Sequence, residues 1–422
     1  MWLENNEAMH NRNIRRSATR SLDITMALAI VLLTGNALVG GCGVDFAYLI
    51  PAAAGQIKLL WRSVPIGVAI RDGHLTEDQV AKLEAIQDAR AYARDVMGLN
   101  AENNFTKFYD SGGKPVAFNV SACRKDAFEP RLWRFPIVGT VPYLGFFDRA
   151  AADAKFDRLA GEGLDVFMYE IEAYSGIGFI PNLVLSPLLE RSEIHIVETI
   201  FHELLHSTIW RPNDASFNES LATFYGRTGA VEYLVDRYPD HPELVQEAIG
   251  LFEDSDRYTD FMLTQFNDLD AFYSSDLSTE DKIAGREAVY QAGRDRFAAE
   301  VQHLMNWPER YDWVRNLPAN NAWMLGVRRY NLDLEVFEQV FTATGRDWVV
   351  SLRLFRDAAS RLDPYGYLRA WLTSHDGVSQ VQFSDTGLAL TEHRKQSPLS
   401  VPQRTSRGPC PARLATTILC PE

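Results

Sequence analysis

The sequence predicts an α+β fold that is mostly helical, in which a buried apolar helix packs on a small antiparallel sheet beneath long covering helices. Three observations lead to this expectation. Apolar side chains recur at helical spacing through most of residues 48–372. Short segments interrupted by glycine and proline, typical of strands and turns, are confined to residues 104–184. The 422 residues are 46% hydrophobic, which is enough for a substantial core.

By composition the chain divides into residues 1–42, 43–372 and 373–422. In the first segment a basic, polar stretch precedes an apolar run at residues 24–41, which ends in two glycines before Cys42. This order is typical of an export signal. A cysteine after small residues resembles a lipobox, in which Cys42 would be lipidated and would become the first residue of the mature chain. A plain transmembrane anchor is the alternative, since about 18 apolar residues are just long enough to span a bilayer.

The residue after Cys42 bears on the destination of the protein. Gly43 stands there, and in lipoproteins of this kind that fits sorting to the outer membrane. We therefore expect the protein in the cell envelope, anchored to the outer membrane by its lipid and facing the periplasm. With either a lipid or a transmembrane anchor, the protein would face the envelope and not the cytosol.

The composition argues against two kinds of site, one for nucleic acid and one for a metal held by cysteines. It also predicts a disordered C-terminal tail. A net charge of −14 argues against nucleic acid as a partner. None of the four cysteines has C-x-x-C spacing, so we expect no cysteine metal cluster. Residues 397–422 are rich in Pro, Ser, Thr and Arg and lack an amphipathic period, which predicts disorder.

The first part of the central segment alternates between helices and short strands. Thr76 and Asp148 are residue types that commonly cap helix N-termini. Glycines and prolines separate the apolar stretches that follow the second helix. In order, the expected elements are a helix at residues 48–66, a helix at 75–97, a hairpin at 104–121, a strand–turn–strand at 133–147, a helix at 149–161 and a strand at 163–169.

Residues 194–210 contain the pattern around which the chain is organised. His202, Glu203 and His206 form H-E-x-x-H, and four-residue spacing places both imidazoles on one face of a helix. Two such imidazoles can share one Zn²⁺, and Glu203 can then take a proton from a water on the open side of the metal. An ordinary helix with two unrelated histidines is the alternative. Buried apolar helices, however, rarely contain such residues without partners for them.

A catalytic zinc site of this type needs a third protein ligand. Pro212 and Asn213 predict a break after the first helix, and residues 218–224 predict a second helix. A helix–turn–helix would return Glu219 over the two histidines. Asp214 is the rival ligand, but we expect it in the turn. Glu198 and Asp214 are also candidates to orient the histidine rings.

The rest of the central segment predicts helices. Residues 229–251 continue the helical pattern, and residues 256–315 predict a long helical hairpin broken near residues 274–279. Asn320 and Asn321 precede a helix that contains Tyr330. They could hydrogen-bond a substrate backbone or cap the helix, and capping is the commoner use.

Residues 201–208 (FHELLHST) and 217–224 (FNESLATF) together resemble a bacterial family of predicted aminopeptidases, which are lipoprotein-like zinc metallopeptidases. Other parts of the chain, at residues 133–147, 172–182 and 318–322, also resemble segments of that family. The resemblance implies a zincin-like domain with one Zn²⁺ per chain, a peptide substrate, and Glu219 as the third ligand.

These residues predict a mechanism in which Glu203 acts as general base on a zinc-activated water. We expect residues 172–180 to bind the substrate backbone as an edge strand. Tyr174 or Tyr225 would donate to the developing oxyanion, although Tyr174 could simply be a packing residue. Glu172 is a candidate to bind the free ammonium of an aminopeptidase substrate.

Three functional alternatives remain open from the sequence. The enzyme could be an endopeptidase rather than an exopeptidase. The protein could instead be a non-catalytic envelope lipoprotein with a structural metal or none, although a structural site would not need Glu203. Metal-dependent hydrolysis of a bond other than a peptide bond is the third alternative.

Overall fold

The computed structural model describes residues 46–379, apart from residues 136–138, 172, 174–179 and 331–332. The predicted export segment with Cys42, and most of the C-terminal tail, therefore lie outside the described residues. Within the described part, no helix combines the length and the apolarity that a membrane crossing requires.

Helices make up most of the described chain, as predicted. Between α8 and α9 the chain forms short π and 3₁₀ turns. The α-helices are α1 (Phe46–Arg62), α2 (Ile66–Arg71), α3 (Glu77–Asp95), α4 (Arg149–Gly161), α5 (Glu193–His206), α6 (Ala215–Arg237), α7 (Pro242–Tyr273), α8 (Thr279–Arg296), α9 (Asn321–Tyr330), α10 (Leu334–Ala343), α11 (Trp348–Ala359) and α12 (Pro364–Ser379).

The strands form small sheets in three groups. One sheet has the order β1-β2-β8, a second has the order β6-β3-β7, and β4 pairs with β5. All pairings are antiparallel except that of β2 with β8. The strands are β1 (Val64–Pro65), β2 (Lys107–Tyr109), β3 (Ala117–Cys123), β4 (Trp133–Phe135), β5 (Gly139–Val141), β6 (Tyr143–Phe146), β7 (Asp165–Ile171) and β8 (Val184–Leu185).

Local capping fixes several helix starts where the sequence predicted them. Thr76 caps α3 through a capping box with Gln79, in which each side chain accepts a backbone N–H of the other residue. The Asp148 side chain accepts the N–H of Ala151 and caps α4. Both helix predictions are confirmed, because capping depends on residues only three positions apart.

The hairpin predicted at residues 104–121 is wrong. β2 and β3, which would be its two strands, belong to different sheets. Phe108 on β2 pairs in parallel with Val184 on β8, whereas β3 pairs with β6 and β7. Ser186 explains part of the diversion, since its Oγ accepts the backbone N–H of Ser111 in the intervening turn. Pairing with a segment distant in sequence overrides the local turn signal.

The helices α5 and α6 lie at the centre of the largest hydrophobic core, together with α3, α10 and α11. The α5 helix has its most extensive contacts with α6 and α3. The sheet β6-β3-β7 packs instead against α4 and α9. The expectation that the sheet lies directly on the histidine helix is therefore replaced by a helical surround, with α9 between the sheet and the helices that bear the motif.

The last described helix, α12, extends past residue 372, where the predicted tail begins. The α12 helix continues to Ser379, and its N-terminal half packs on α10 and α11. Tyr365 in this helix contacts Phe217 and Phe337 in the main core. The start of the predicted tail therefore forms part of the last helix.

Candidate active site

The α5 helix positions the H-E-x-x-H residues. The side chain of Ser192 accepts the N–H of His195 and caps the helix start. The apolar face of α5 is fully buried. Its buried apolar residues are Ile194, Ile196, Val197, Ile200, Phe201, Leu204 and Leu205. This burial fixes the rotation of the helix and so fixes the direction in which the two histidines point.

The turn after α5 is built by three polar residues. The amide of Asn218 is bonded in both directions to the backbone of Arg211, at 2.8 Å each. Asp214 accepts the N–H of Phe217 through Oδ1 and caps α6, while its Oδ2 accepts from Arg211 Nε at 2.9 Å. Asp214 is thus a capping residue held by an arginine, and it is neither a metal ligand nor a partner of the histidine rings.

A close approach of α6 to α5 brings Glu219 to the histidines. Gly226 faces the backbone of α5, and a Cβ atom at this position would lie 2.9 Å from the carbonyl oxygen of Glu198. Ala222, one turn earlier, is fully buried. Small residues on this face let the two helix backbones come closer than side chains of ordinary size would allow.

His202, His206 and Glu219 form a cluster that could hold a metal ion, and we call it the metal triad. The two Nε2 atoms are 3.1 Å apart, and each lies 3.3 Å from Glu219 Oε2. Ligand atoms at zinc-like distances from a tetrahedral ion lie about 3.3–3.4 Å from each other. The donor set of two imidazoles and one carboxylate could therefore hold a metal ion, and its spacing fits zinc.

The electrostatics of the triad favour an ionised Glu219. Burial raises the pKa of this carboxyl, but the neighbouring His206 and His202 outweigh burial and lower it overall. Burial lowers the pKa of His206, and Glu219 more than reverses the effect. A buried carboxylate beside two imidazoles attracts positive charge, which is what a cation-binding site requires.

Glu203 lies beside the triad and has a different environment. Burial raises its pKa, and the nearby histidines offset this only in part. Its Oε2 atom is buried and has no hydrogen-bond partner among the described residues. A carboxylate with a raised pKa and an unused oxygen is suited to accept a proton from a reactant.

Glu198 was the other candidate to orient His202 or His206, but its ionic contacts are with different residues. Its carboxylate lies 3.6 Å from His195 Nδ1 and 3.9 Å from Arg227 Nε. Burial raises its pKa, while His195, Arg227 and His202 lower it to a net decrease. Glu198 thus contributes negative charge one turn before His202, and its shortest ionic contact is with His195.

A tyrosine cluster, formed by Tyr143, Tyr169 and Tyr330, adjoins the triad. Burial is the main cause of the raised pKa in each, and the Glu219 carboxylate also acts on all three. The ring of Tyr330 stacks on His202, with centroids 6.0 Å apart. Asn119 donates to the Tyr169 hydroxyl at 2.9 Å, and the Tyr330 side chain is also hydrogen-bonded to it. These residues come from α9, β6 and β7, and sequence reasoning assigned none of them to the site.

Tyr225 lies in the hydrophobic core, so its predicted oxyanion role is wrong. It is fully buried, and its ring contacts Trp348 and Phe355. Six residues separate it from Glu219, a helical rotation that points the two side chains to different faces. The other candidate, Tyr174, lies outside the described residues, as does Glu172.

Asn320 and Asn321 form internal hydrogen bonds, which corrects their assignment to substrate binding. Asn320 caps α9 by accepting the N–H of Trp323, and it donates to the carbonyl of Val166. Asn321 is fully buried, and its Oδ1 accepts from the hydroxyls of Tyr273 and Tyr290. The capping alternative is confirmed for Asn320.

Comparison with known proteins gives one match. A family model described as "Putative aminopeptidase" matches residues 47–363, which include the metal triad and the tyrosine cluster. No curated protein and no solved structure matches the chain.

Proposed function

This chain belongs to the family described as "Putative aminopeptidase", and on that premise we propose that it is a zinc-dependent peptidase of the aminopeptidase type. The convergence of three ligand atoms beside an unpaired general base supports this proposal most directly. Two histidines and one carboxylate are the ligand set of many catalytic zinc sites, in which the fourth position stays open.

His202, His206 and Glu219 would hold the zinc. When bound, zinc supplies Lewis-acid chemistry that brings the pKa of a water molecule toward neutrality. The short connection between α5 and α6, together with the close approach at Gly226, keeps the three ligand side chains in place. Tyr330 supports one ligand by stacking on His202.

Glu203 would act as the general base. Its unpaired Oε2 accepts the proton of the attacking water, and the same carboxyl group then protonates the amine nitrogen of the departing product. Burial raises its pKa, which favours both steps because the group can hold a proton between them. General acid–base catalysis of this kind contributes about 10²–10⁴-fold to rate.

Tyr143 would donate its hydroxyl to the oxyanion that develops on the substrate carbonyl. The charges of both Glu219 and Glu203 act on the pKa of Tyr143. A neutral phenol is required for donation, and burial raises its pKa and keeps it protonated. In this proposal Tyr143 takes the role that the sequence suggested for Tyr225, and Tyr174 stays a candidate for the same role.

The substrate backbone would bind beside residues 172–180, as predicted from the sequence. The strand β7, which contributes Tyr169, leads directly into this segment and pairs with β3 on one side. β7 lies at the edge of its sheet among the described strands, so a peptide added to that edge would run beside Tyr169. Main-chain hydrogen bonds of this kind bind extended peptides in many complexes.

We also propose that Cys42 carries a lipid that anchors the enzyme to the outer membrane, facing the periplasm. The apolar run and the two glycines before the cysteine support this placement. Metabolic labelling with a fatty acid, compared between wild type and Cys42→Ser, tests it. Label retained in Cys42→Ser would contradict the proposal.

The experiment that tests the activity measures zinc content and turnover in wild type and in Glu203→Gln. We expect about one zinc per chain in both proteins, with turnover lower by about 10²–10⁴-fold in the variant. Peptide amides with free or acetylated N-termini show whether the amine is required. Glu190→Gln is the matched control, since Glu190 is exposed and lies just before α5.

Three results would contradict the proposal in whole or in part. Normal turnover in Glu203→Gln would remove Glu203 from the reaction. Absence of zinc from carefully prepared wild type, together with absence of hydrolysis, would leave the non-catalytic alternative. Efficient cleavage of acetylated peptides would keep the zinc peptidase but reject the aminopeptidase type.

A further inference from the structure

Arg329 differs from the other buried arginines of the described chain. Four arginines in this part of the molecule are less than one tenth exposed. Three of them pair with carboxylates, namely Arg227 with Asp256, Arg286 with Asp165 and Arg294 with Glu287. Arg329 is 7% exposed, and no described carboxylate lies within ion-pair distance of its guanidinium. Its contact is the ring of Tyr143, whose centroid is 5.5 Å from Cζ.

The position of Arg329 is beside the candidate active site. Its charge acts on the pKa of Tyr143, Tyr169 and Tyr330, the same tyrosines on which Glu219 acts. The next residue in α9, Tyr330, stacks on His202. The backbone carbonyl of Arg329 accepts from Ser220 Oγ, so α9 is attached to α6 directly beside the third metal ligand.

A buried guanidinium without an anion is costly, because water is removed and no ion pair replaces it. A cation–π contact compensates for part of that cost. The planar guanidinium forms its strongest pairs with carboxylates, which it can bind through two parallel hydrogen bonds. The carboxylates that act on the tyrosine cluster are Glu219 and, for Tyr143, Glu203, and both already have roles in the proposed mechanism.

From this geometry we propose that Arg329 binds a carboxylate of the substrate, and that the enzyme prefers peptides with an acidic group next to the cleaved bond. The carboxylate can come from an Asp or Glu side chain or from the free C-terminus of a very short peptide. The substrate class rests on the proposed peptidase function. The carboxylate site itself rests only on the buried guanidinium of Arg329, which has no ion-pair partner among the described residues.

The test measures binding separately from turnover. Zinc-loaded Glu203→Gln is titrated with short peptides in matched pairs, one pair with Asp or Asn and a second with a free or amidated C-terminus. We expect the carboxylate member of one pair to bind about 10–100-fold more tightly, the range of a charge-assisted hydrogen bond. The pair that shows this difference identifies the source of the carboxylate.

Substitutions at two adjacent arginines assign the effect. Arg329→Gln should remove the preference, and Arg329→Lys should keep part of it, since lysine retains the charge but not the paired hydrogen bonds. Arg328→Gln is the control and should keep the preference in full, because Arg328 lies over the ring of Phe266. Circular dichroism and zinc content show whether Arg329→Gln folds. If it does not, the test rests on Arg329→Lys, in which the preference for the carboxylate peptide should be smaller than in the parent protein.

The outcomes separate this inference from the proposed function. Equal binding of both members of each pair, or a preference that stays undiminished in Arg329→Gln or, where that variant does not fold, in Arg329→Lys, would overturn the carboxylate site. Arg329 would then act as a counter-charge to Glu203 and Glu219, or as a partner of Tyr143. Preferred binding of acidic peptides that wild type does not cleave would support the carboxylate site and reject the peptidase.

Discussion

The metal triad and the tyrosine cluster adjoin each other but are assembled differently. The three proposed ligands come from α5 and α6, two helices that are consecutive in the chain. The tyrosines come from β6, β7 and α9, which other helices and strands separate in sequence. Local spacing therefore specifies the triad, whereas tertiary packing alone brings the tyrosines together. Residues proposed to bind the metal can therefore be inferred from a short sequence motif, whereas residues proposed to contact the substrate can be identified only from the fold.

The largest effect is expected at Glu219, the proposed third ligand of the metal triad. Glu219→Ala removes one of three ligands and should abolish turnover. We expect zinc affinity to fall by more than the roughly 10–100-fold that is typical of changes outside the ligand set. Metal titration measures the change. Asp214→Ala is the control, in which zinc binding should stay normal while loss of the cap lowers stability by about 0.5–2 kcal/mol. Normal zinc affinity in Glu219→Ala would sink the assignment.

A second test addresses the tyrosine that was found only in the fold. Tyr143→Phe removes the proposed oxyanion donor and should lower kcat by about 10²–10³-fold with zinc content unchanged. Tyr225→Phe is the matched control, because its hydroxyl is buried without a hydrogen-bond partner among the described residues. Its kcat should equal that of wild type. Steady-state kinetics measures kcat for both variants. Equal kcat values would show that Tyr143 is not the oxyanion donor.

A third test concerns the close approach that places Glu219. Gly226→Ala should destabilise the protein, because the added Cβ meets the backbone of Glu198. Overpacking costs about 1–3 kcal/mol, which exceeds the gain of about 0.5–1 kcal/mol from replacing glycine in a helix. Gly161→Ala has open space and should be neutral or stabilising. Denaturant unfolding measures both, and a stable Gly226→Ala protein would show that the helices can separate without cost.

The smallest expected effect is at the start of α9. Asn320→Ala should cost about 1 kcal/mol through loss of the helix cap and should leave KM unchanged. Asn320→Ser keeps a capping oxygen and should recover most of that stability. Thermal unfolding and substrate titration on the two variants separate capping from substrate binding. A large rise in KM without loss of stability would restore Asn320 to the substrate site.

Sequence reasoning succeeded where the determinants are close together in the chain. Thr76 and Asp148 cap helices that begin at the predicted residues, and the spacing of His202 and His206 is a property of one helix. Sequence reasoning failed where the structure depends on residues that are distant in the chain. The strand β2 pairs with β8 instead of β3, and Tyr225 faces a core that contains Trp348. A tyrosine in a sequence carries no sign of which face it will occupy until the packing of its neighbours is known.

The proposed metal ligands lie close together in the chain, and this determines which part of the site can form first. A ribosome releases the chain from its N-terminus, so α5, the turn and most of α6 emerge well before α9. Contacts close in sequence form fastest, and the three ligands need only one helix–turn–helix to meet. The triad can therefore assemble early in folding, before Arg329 and Tyr330 of α9 pack beside it.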